Sequence, residues 1–299
     1  MRFVVPVFAK LNLTLRVTGR REDGYHNLVS AFLRIPSGET LLIEPLASDA
    51  AEPPRGTSDP VADQVEVHGL DLRLEGENIV SRALRLAREA GVDVPPLRVG
   101  IFKALWPGSG LGSGSGNAAA LLQWLAPRHA DVPRGTWRDI ALRVGADVPF
   151  LFSGLRAAQV TGIGGEIEPL PVTDRSPLLG VVAFPDWEVG TRNAYAALDA
   201  RYPDGYPQGE EGARVELRDN YFSLMERKHA GLLPNDCMPS LVGDHPRYEE
   251  LFTLFEAAGA LAWGVTGSGG AAFALFARGP GSIPWPEWVR QVLSLPAIP

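Results

Sequence analysis

Residues 107–120, PGSGLGSGSGNAAA, decide how this chain is read. The run Pro107, Gly108, Ser109, Gly110, Leu111, Gly112, Ser113, Gly114, Ser115, Gly116, Asn117 places a glycine at every second position. Alternate glycines let a backbone approach a bulky ligand closely and turn its N–H groups inward. The apolar segment AAALLQWLA, 118–126, predicts a helix whose free N–H groups would point to the same place, completing a phosphate nest. The bland alternative is a flexible glycine-serine loop. Its weakness is position, because ordering such a loop between a core strand and an apolar helix is costly without a task. A Walker A loop requires Gly-Lys-Ser/Thr, and this run ends Gly116-Asn117-Ala118. A dinucleotide fingerprint can be forced from Gly114, Gly116 and Ala119, but it should open directly after its strand and find an acid on the next one. Here residues 103–107 precede the first glycine, and the region about 20 residues on is polar and helical.

Working outward, LRVGIF (97–102) reads as the strand feeding the run, and residues 2–17 and 29–35 with 41–43 read as earlier strands. Asn78 caps a helix running to about Ala90, stopped by Gly91, and a second helix spans 136–144. ADVPFLF (146–152) reads as a turn into a buried strand, and PLASDAAEPPRGTSDPVAD (45–63) as a solvent loop. A boundary falls near 150–175, where PLPVTDRSP makes a proline-rich connection. Beyond it come a strand at 178–185, helices near 191–199, 219–230 and 246–258, and a polar loop at 200–214. GVTGSGGAAFALF (264–276) is a glycine turn feeding a hydrophobic strand, and the last 20 residues contain a short amphipathic helix.

The 299 residues are enough for two domains. A formal charge of −7 (28 basic, 35 acidic) gives general nucleic-acid binding a poor start, without excluding a basic pocket for a small phosphate. One cysteine, Cys237, rules out an intrachain disulfide and a cysteine-rich zinc site. No apolar run is long enough to span a membrane and no signal-peptide pattern follows the start, so a cytoplasmic protein is expected.

Three further groups carry candidate chemistry. Lys10 interrupts an apolar strand, and the period-2 geometry puts it on one face with Asn12; a snorkelling edge lysine is the alternative. Asp147 follows a helix stop, as a turn cap or as a placed carboxylate. Near a lysine it would stay ionised and could orient an alcohol and take its proton, while the ammonium offsets phosphoryl charge. The second glycine turn, with Gly264, Thr266, Gly267, Ser268, Gly269 and Gly270, is either a glycine-lined hairpin or helix-to-strand turn, or a backbone wall against substrate or phosphate.

Together these residues resemble the GHMP kinases, ATP-dependent kinases of small metabolites. AKLNLTL (9–15), PGSGLGSGSGNAAA (107–120) and GVTGSGGAAFALF (264–276) match the three family motifs in chain order. GRREDGYHNL (19–28), GENIVSRAL (76–84), GADVPFLF (145–152) and Asn235-Asp236 narrow the resemblance to the branch whose substrate carries a cytidine diphosphate group. The resemblance implies an α+β fold of two domains: residues 1–160, ATP-binding and like domain 2 of ribosomal protein S5 with a left-handed crossover, and residues 161–299, ferredoxin-like, with the active site between them. It implies transfer from ATP, with Mg²⁺ travelling on the nucleotide, to the 2-hydroxyl of 4-diphosphocytidyl-2-C-methyl-D-erythritol in non-mevalonate isoprenoid synthesis. Lys10 and Asp147 match the family's catalytic pair. Asn12, Gly267, Ser268 and Gly269 fall on the substrate side. Tyr25, His26 and Tyr195 match the group that recognises cytosine, an aromatic face stacking on the base while an imidazole bonds its edge. The chain departs from the family where Ser115-Gly116-Asn117 replaces Ser-Ser-Asp, removing a hydroxyl and a negative charge. A GHMP kinase for another small alcohol, or a non-catalytic nucleotide-binding relative, are the alternatives. No nucleic-acid or membrane partner is expected.

Overall fold

A computed structural model describes residues 1–46, 62–70, 76–172, 177–228 and 231–298. It divides into two compact units: residues 1–9, 36–105 and 113–153 form one, and residues 10–35, 106–112 and 154–299 the other. Two long strands, β1 (Phe3–Arg20) and β2 (His26–Pro45), pair with each other and run through both.

In the first unit, β3 (Gln64–His68) lies parallel to β4 (Leu97–Phe102), and β4 pairs antiparallel with the second half of β2, Thr40 opposite Phe102. Between β3 and β4 the chain forms α1 (Ile79–Glu89). Asn78 caps it as expected, its Oδ1 accepting from the Val80 amide at 2.8 Å, a contact that contributes about 1 kcal/mol. After β4 come α2 (Ser113–Leu125), α3 (Arg134–Val144) and α4 (Val148–Ser153), packed on one another, with α2 and α3 also on α1.

Two expectations fail in this unit. The helix after the glycine run starts at Ser113, five residues earlier than the alanines suggest, so Gly114 and Gly116 are helical. Packing overrides propensity there: a Cβ on Gly116 would lie 2.1 Å from the Phe8 carbonyl oxygen. VPFLF is helix α4, not a strand. A five-residue apolar run does not distinguish the two by period. The Gln123 amide decides it by donating to the carbonyls of Leu151 (2.9 Å) and Phe152 (3.1 Å), which would otherwise be orphans at a helix end.

The second unit holds β5 (Ala157–Gly162) against the first half of β2, with β6 (Glu166–Pro169) beside it, a hairpin inside the expected boundary window 150–175 for which no strands were expected. It continues with β7 (Leu178–Pro185), α5 (Thr191–Arg201), α6 (Glu210–Met225), β8 (Gly231–Leu232), α7 (Met238–Asp244), α8 (Arg247–Ala257), β9 (Ala262–Val265), β10 (Ala272–Phe276) and β11 (Val289–Ile298). The sheet order is β11-β7-β10-β9-β8. Helix α6 begins at 210, inside the expected loop, and α7 was not anticipated.

The C-terminal segment is β11 and not an amphipathic helix. Its apolar residues Val289, Val292, Leu293 and Leu295 fit a helical spacing, but the open edge of β7 selects the strand, with Leu293 opposite Val182 and Leu295 opposite Gly180. Of the expected 45–63 loop, residues 47–61 lie outside the described residues, as do 71–75 and 173–176. Among the described residues no helix is long and apolar enough to cross a membrane.

Candidate active site

In the second unit the two glycine loops are built on each other. Gly108, Gly110 and Gly112 have φ of +69°, +78° and +64°, a region glycine enters without a Cβ penalty. A Cβ on Gly110 would lie 2.0 Å from the Thr266 carbonyl oxygen, and one on Gly270 would lie 1.9 Å from that of Gly108. A hydrogen bond continues the contact, Ala271 N–H donating to Ser109 O at 3.1 Å, while Thr266 N–H closes the second turn on itself by donating to Ala271 O at 3.1 Å. Gly110 and Gly270 are thus required first by the approach of one loop to the other. The first two motifs are likewise tied, Lys10 N–H donating to Leu111 O at 2.9 Å.

Lys10 is only 4% exposed, which excludes an edge lysine. Its Nζ bonds Asn12 Oδ1, as the shared strand face requires, and lies 5.1 Å from the centroid of Phe32. A Cβ on Gly267 would come within 3.1 Å of the ammonium, so the second glycine turn comes up against it. Asn12 is fixed on all sides: its Nδ2 donates to Ser30 Oγ at 2.8 Å and its N–H to Thr266 Oγ1 at 3.0 Å. Ser268 Oγ reaches Thr191 Oγ1 at 3.0 Å, and Gly269 N–H donates to Thr266 O at 3.2 Å.

Asn235 has a role that its place in the sequence did not reveal. Its amide donates to the carbonyls of Val265 (3.1 Å) and Gly267 (2.9 Å), clamping the second turn, while its Oδ1 accepts from Cys237 N–H. Asp236 accepts from Val17 N–H at 2.8 Å and from Arg16, whose guanidinium also forks onto Glu216. Cys237 is buried, and burial beside Asp236 pushes its thiol up to about 12.

At the other end of the expected site in this unit, Tyr25 is 60% exposed in the turn between β1 and β2. His26 opens β2 and stacks on Tyr195 of α5, with ring centroids 4.7 Å apart and planes 25° from parallel. Its Nε2 lies 2.7 Å from Asp199 Oδ1.

In the first unit lie the start of α2 and Asp147. The side chain of Glu39 is fully buried. It accepts from the Ser113 hydroxyl at 2.9 Å and from the Ala104 and Leu105 amides, and it pairs with Lys103 Nζ at 2.7 Å. Lys103 also bonds the Ser113 hydroxyl. Burial pulls the Lys103 ammonium below its ordinary range, against the pull of Glu39. This cluster locks the end of β4 and the first residue of α2; Lys103 escaped notice because a single lysine after a strand carries no pattern. Ser115 is half-buried in the first turn, and Asn117 is buried with its Oδ1 lacking any partner among the described residues. Asp147 is half-buried immediately before α4, and its carbonyl accepts from Leu151 N–H at 3.3 Å. Among the described residues no group of three or more His, Cys, Asp or Glu could hold a metal ion.

Comparison with known proteins defines the class. The family model described as GHMP kinases N terminal domain matches residues 78–154, and that described as GHMP kinases C terminal matches 238–281. The chain is 33% identical over 274 residues to the 4-diphosphocytidyl-2-C-methyl-D-erythritol kinase of Porphyromonas gingivalis, covering 91% of each. It is 33% identical over 275 residues to that of Nitratidesulfovibrio vulgaris (strain DP4), covering 90% of this chain and 88% of the relative. A crystal structure of 4-(cytidine 5'-diphospho)-2C-methyl-D-erythritol kinase superposes with a TM-score of 0.67 at 29% identity, over 92% of this chain and 90% of the other. The chain therefore belongs to the 4-diphosphocytidyl-2-C-methyl-D-erythritol kinase family, ATP-dependent kinases with the GHMP kinase fold.

Proposed function

We propose that this chain transfers the γ-phosphoryl group of ATP to the 2-hydroxyl of 4-diphosphocytidyl-2-C-methyl-D-erythritol. The observation that carries the substrate is the 33% identity to the Porphyromonas gingivalis enzyme across nine-tenths of both chains. The stacked pair His26–Tyr195 beside exposed Tyr25 supports it, since a flat base needs an aromatic face and an edge partner.

In this reading the substrate oxygen forms a bond to the γ-phosphorus as the bond to the bridging oxygen of ADP breaks. Asp147 takes the hydroxyl proton and releases it to water. Lys10 balances charge on the transferring group, and its bond to Asn12 fixes its direction. Backbone N–H groups of 108–112 and of the first turn of α2 hold the phosphates. Asn12, Gly267, Ser268 and Gly269 face the substrate, while Tyr25, His26 and Tyr195 take the cytidine.

Mg²⁺ fits the residues present. It favours a few hard oxygen ligands with phosphate and water completing the octahedron, and the buried Asn117 Oδ1, without a partner among the described residues, is such an oxygen. It would supply charge neutralisation at the phosphates. The matches at 78–154 and 238–281 support a functional division near residue 160.

Asp147→Asn tests the chemistry. It should lower kcat by at least about 100-fold with little change in KM for either substrate, because the proton acceptor acts in the transition state. Equal losses in turnover and affinity would remove Asp147 from that role.

A further inference from the structure

Helix α5 carries Tyr195 and Asp199 four residues apart, hence on one face, and both meet His26. The ring of His26 lies between them: Tyr195 covers one face, and Asp199 Oδ1 sits 2.7 Å from Nε2. Asp199 is itself held. Tyr206 O–H donates to the same Oδ1 at 2.5 Å, and Arg20 Nη1 stands 3.3 Å from Oδ2. Tyr206 also meets the His26 ring edge-on, with centroids 6.1 Å apart. No step of the proposed phosphoryl transfer uses Asp199, Tyr206 or Arg20.

We propose that Asp199 is a positioning residue that fixes the tautomer of His26 and so makes the site select cytosine over uracil. The proposal rests on the cytidine-binding reading given above. An ionised carboxylate only accepts hydrogen bonds, so Nε2 must carry the proton, and in the neutral ring Nδ1 is left as an acceptor. The exocyclic amine of cytosine donates, whereas uracil presents a carbonyl at the same position, as thymine does. An acceptor at Nδ1 bonds the first and repels the second. Tyr206 and Arg20 keep Asp199 in place and charged: burial alone would raise its carboxyl, but the hydrogen bonds from Tyr206 and His26 outweigh this and hold it below the ordinary carboxylate range. Asparagine at 199 can present either an oxygen or an N–H to Nε2, so Asp199→Asn removes the lock while keeping the shape.

The test compares kcat/KM for 4-diphosphocytidyl-2-C-methyl-D-erythritol and its uridine counterpart. Wild type should prefer the cytidine compound by about 10- to 100-fold, the discrimination one good base-edge hydrogen bond provides. Asp199→Asn should bring the ratio to within about threefold of unity, with the loss on the cytidine compound falling mainly on KM. Tyr206→Phe, which keeps the carboxylate, should lower the ratio less. On the folded wild type, ¹⁵N NMR of the neutral His26 ring should show the proton on Nε2. An Nδ1-protonated ring, or an Asp199→Asn enzyme with an undiminished preference for cytidine, would overturn the proposal. A wild type that phosphorylates neither compound would instead overturn the substrate reading on which it rests, and the NMR result would still report on the His26–Asp199 lock.

Discussion

Replacing Gly110 by alanine isolates the packing of one glycine loop on the other. At φ +78° an L-residue costs about 1–2 kcal/mol in conformation alone. The new Cβ would lie 2.0 Å from the Thr266 carbonyl oxygen and 2.8 Å from that of Gly269, where ordinary contact begins at 3.4 Å. The loops must therefore separate by more than an ångström, and overpacking of that kind adds about 1–3 kcal/mol. The sum is about 2–5 kcal/mol, expressed as lost stability or, if the turn yields, as lost geometry around Lys10 and Asn12. Urea unfolding and ATP-dependent turnover measured side by side capture both outlets. Gly212→Ala is the control: it sits in α6 with nothing within 4 Å of a Cβ, and should stabilise by about 0.5–1 kcal/mol. A Gly110→Ala protein with wild-type turnover and stability within about 0.5 kcal/mol would refute the reasoning.

Asp63 accepts two bonds from Arg88, at 2.6 and 2.8 Å, and one from Leu97 N–H at 2.9 Å. Burial works to raise its carboxyl, but these bonds prevail and hold it below the ordinary range. Its contribution is therefore present above the unfolded value, about 3.9, and disappears as pH falls through the lower folded value. Asp63→Asn should cost about 1 kcal/mol near pH 7, after discounting for solvent screening, and nothing near pH 2, by chemical denaturation across pH. A difference that persists in acid would count against the ion pair. Cys237, buried and with its thiol pushed up to about 12, should resist alkylation in the native protein and react once it is unfolded; mass spectrometry showing rapid native labelling would contradict its burial.

Much of this protein was legible in its sequence because function and local geometry coincide there. The cap at Asn78, the stops at Gly91 and Gly145 and the strand 97–102 follow from local chemistry, and each is found where it was expected. Lys10 and Asn12 share a face because strand period fixes it. What could not be read was decided by distant partners. Gln123 makes a helix of VPFLF, and the edge of β7 makes a strand of the C-terminal segment. Gly110 and Gly116 suggested a ligand's approach, yet carbonyls of Thr266 and Phe8 already explain the absence of a Cβ at these two positions. The same limit hid the roles of Asn235, Glu39 and Asp199, each of which meets a decisive partner (Val265, Leu105 and His26) 30 or more residues away in the chain. Asp199 left one trace, its spacing of four from Tyr195 on a helix.

The most direct test of the account is phosphorus NMR of the products when the purified protein is given ATP, Mg²⁺ and a panel of alcohols that includes 4-diphosphocytidyl-2-C-methyl-D-erythritol, homoserine, mevalonate and galactose. The account predicts a new phosphomonoester resonance on the cytidine-bearing alcohol alone, formed one for one with ADP. A phosphomonoester on a different alcohol, or no transfer to any of them, would contradict it.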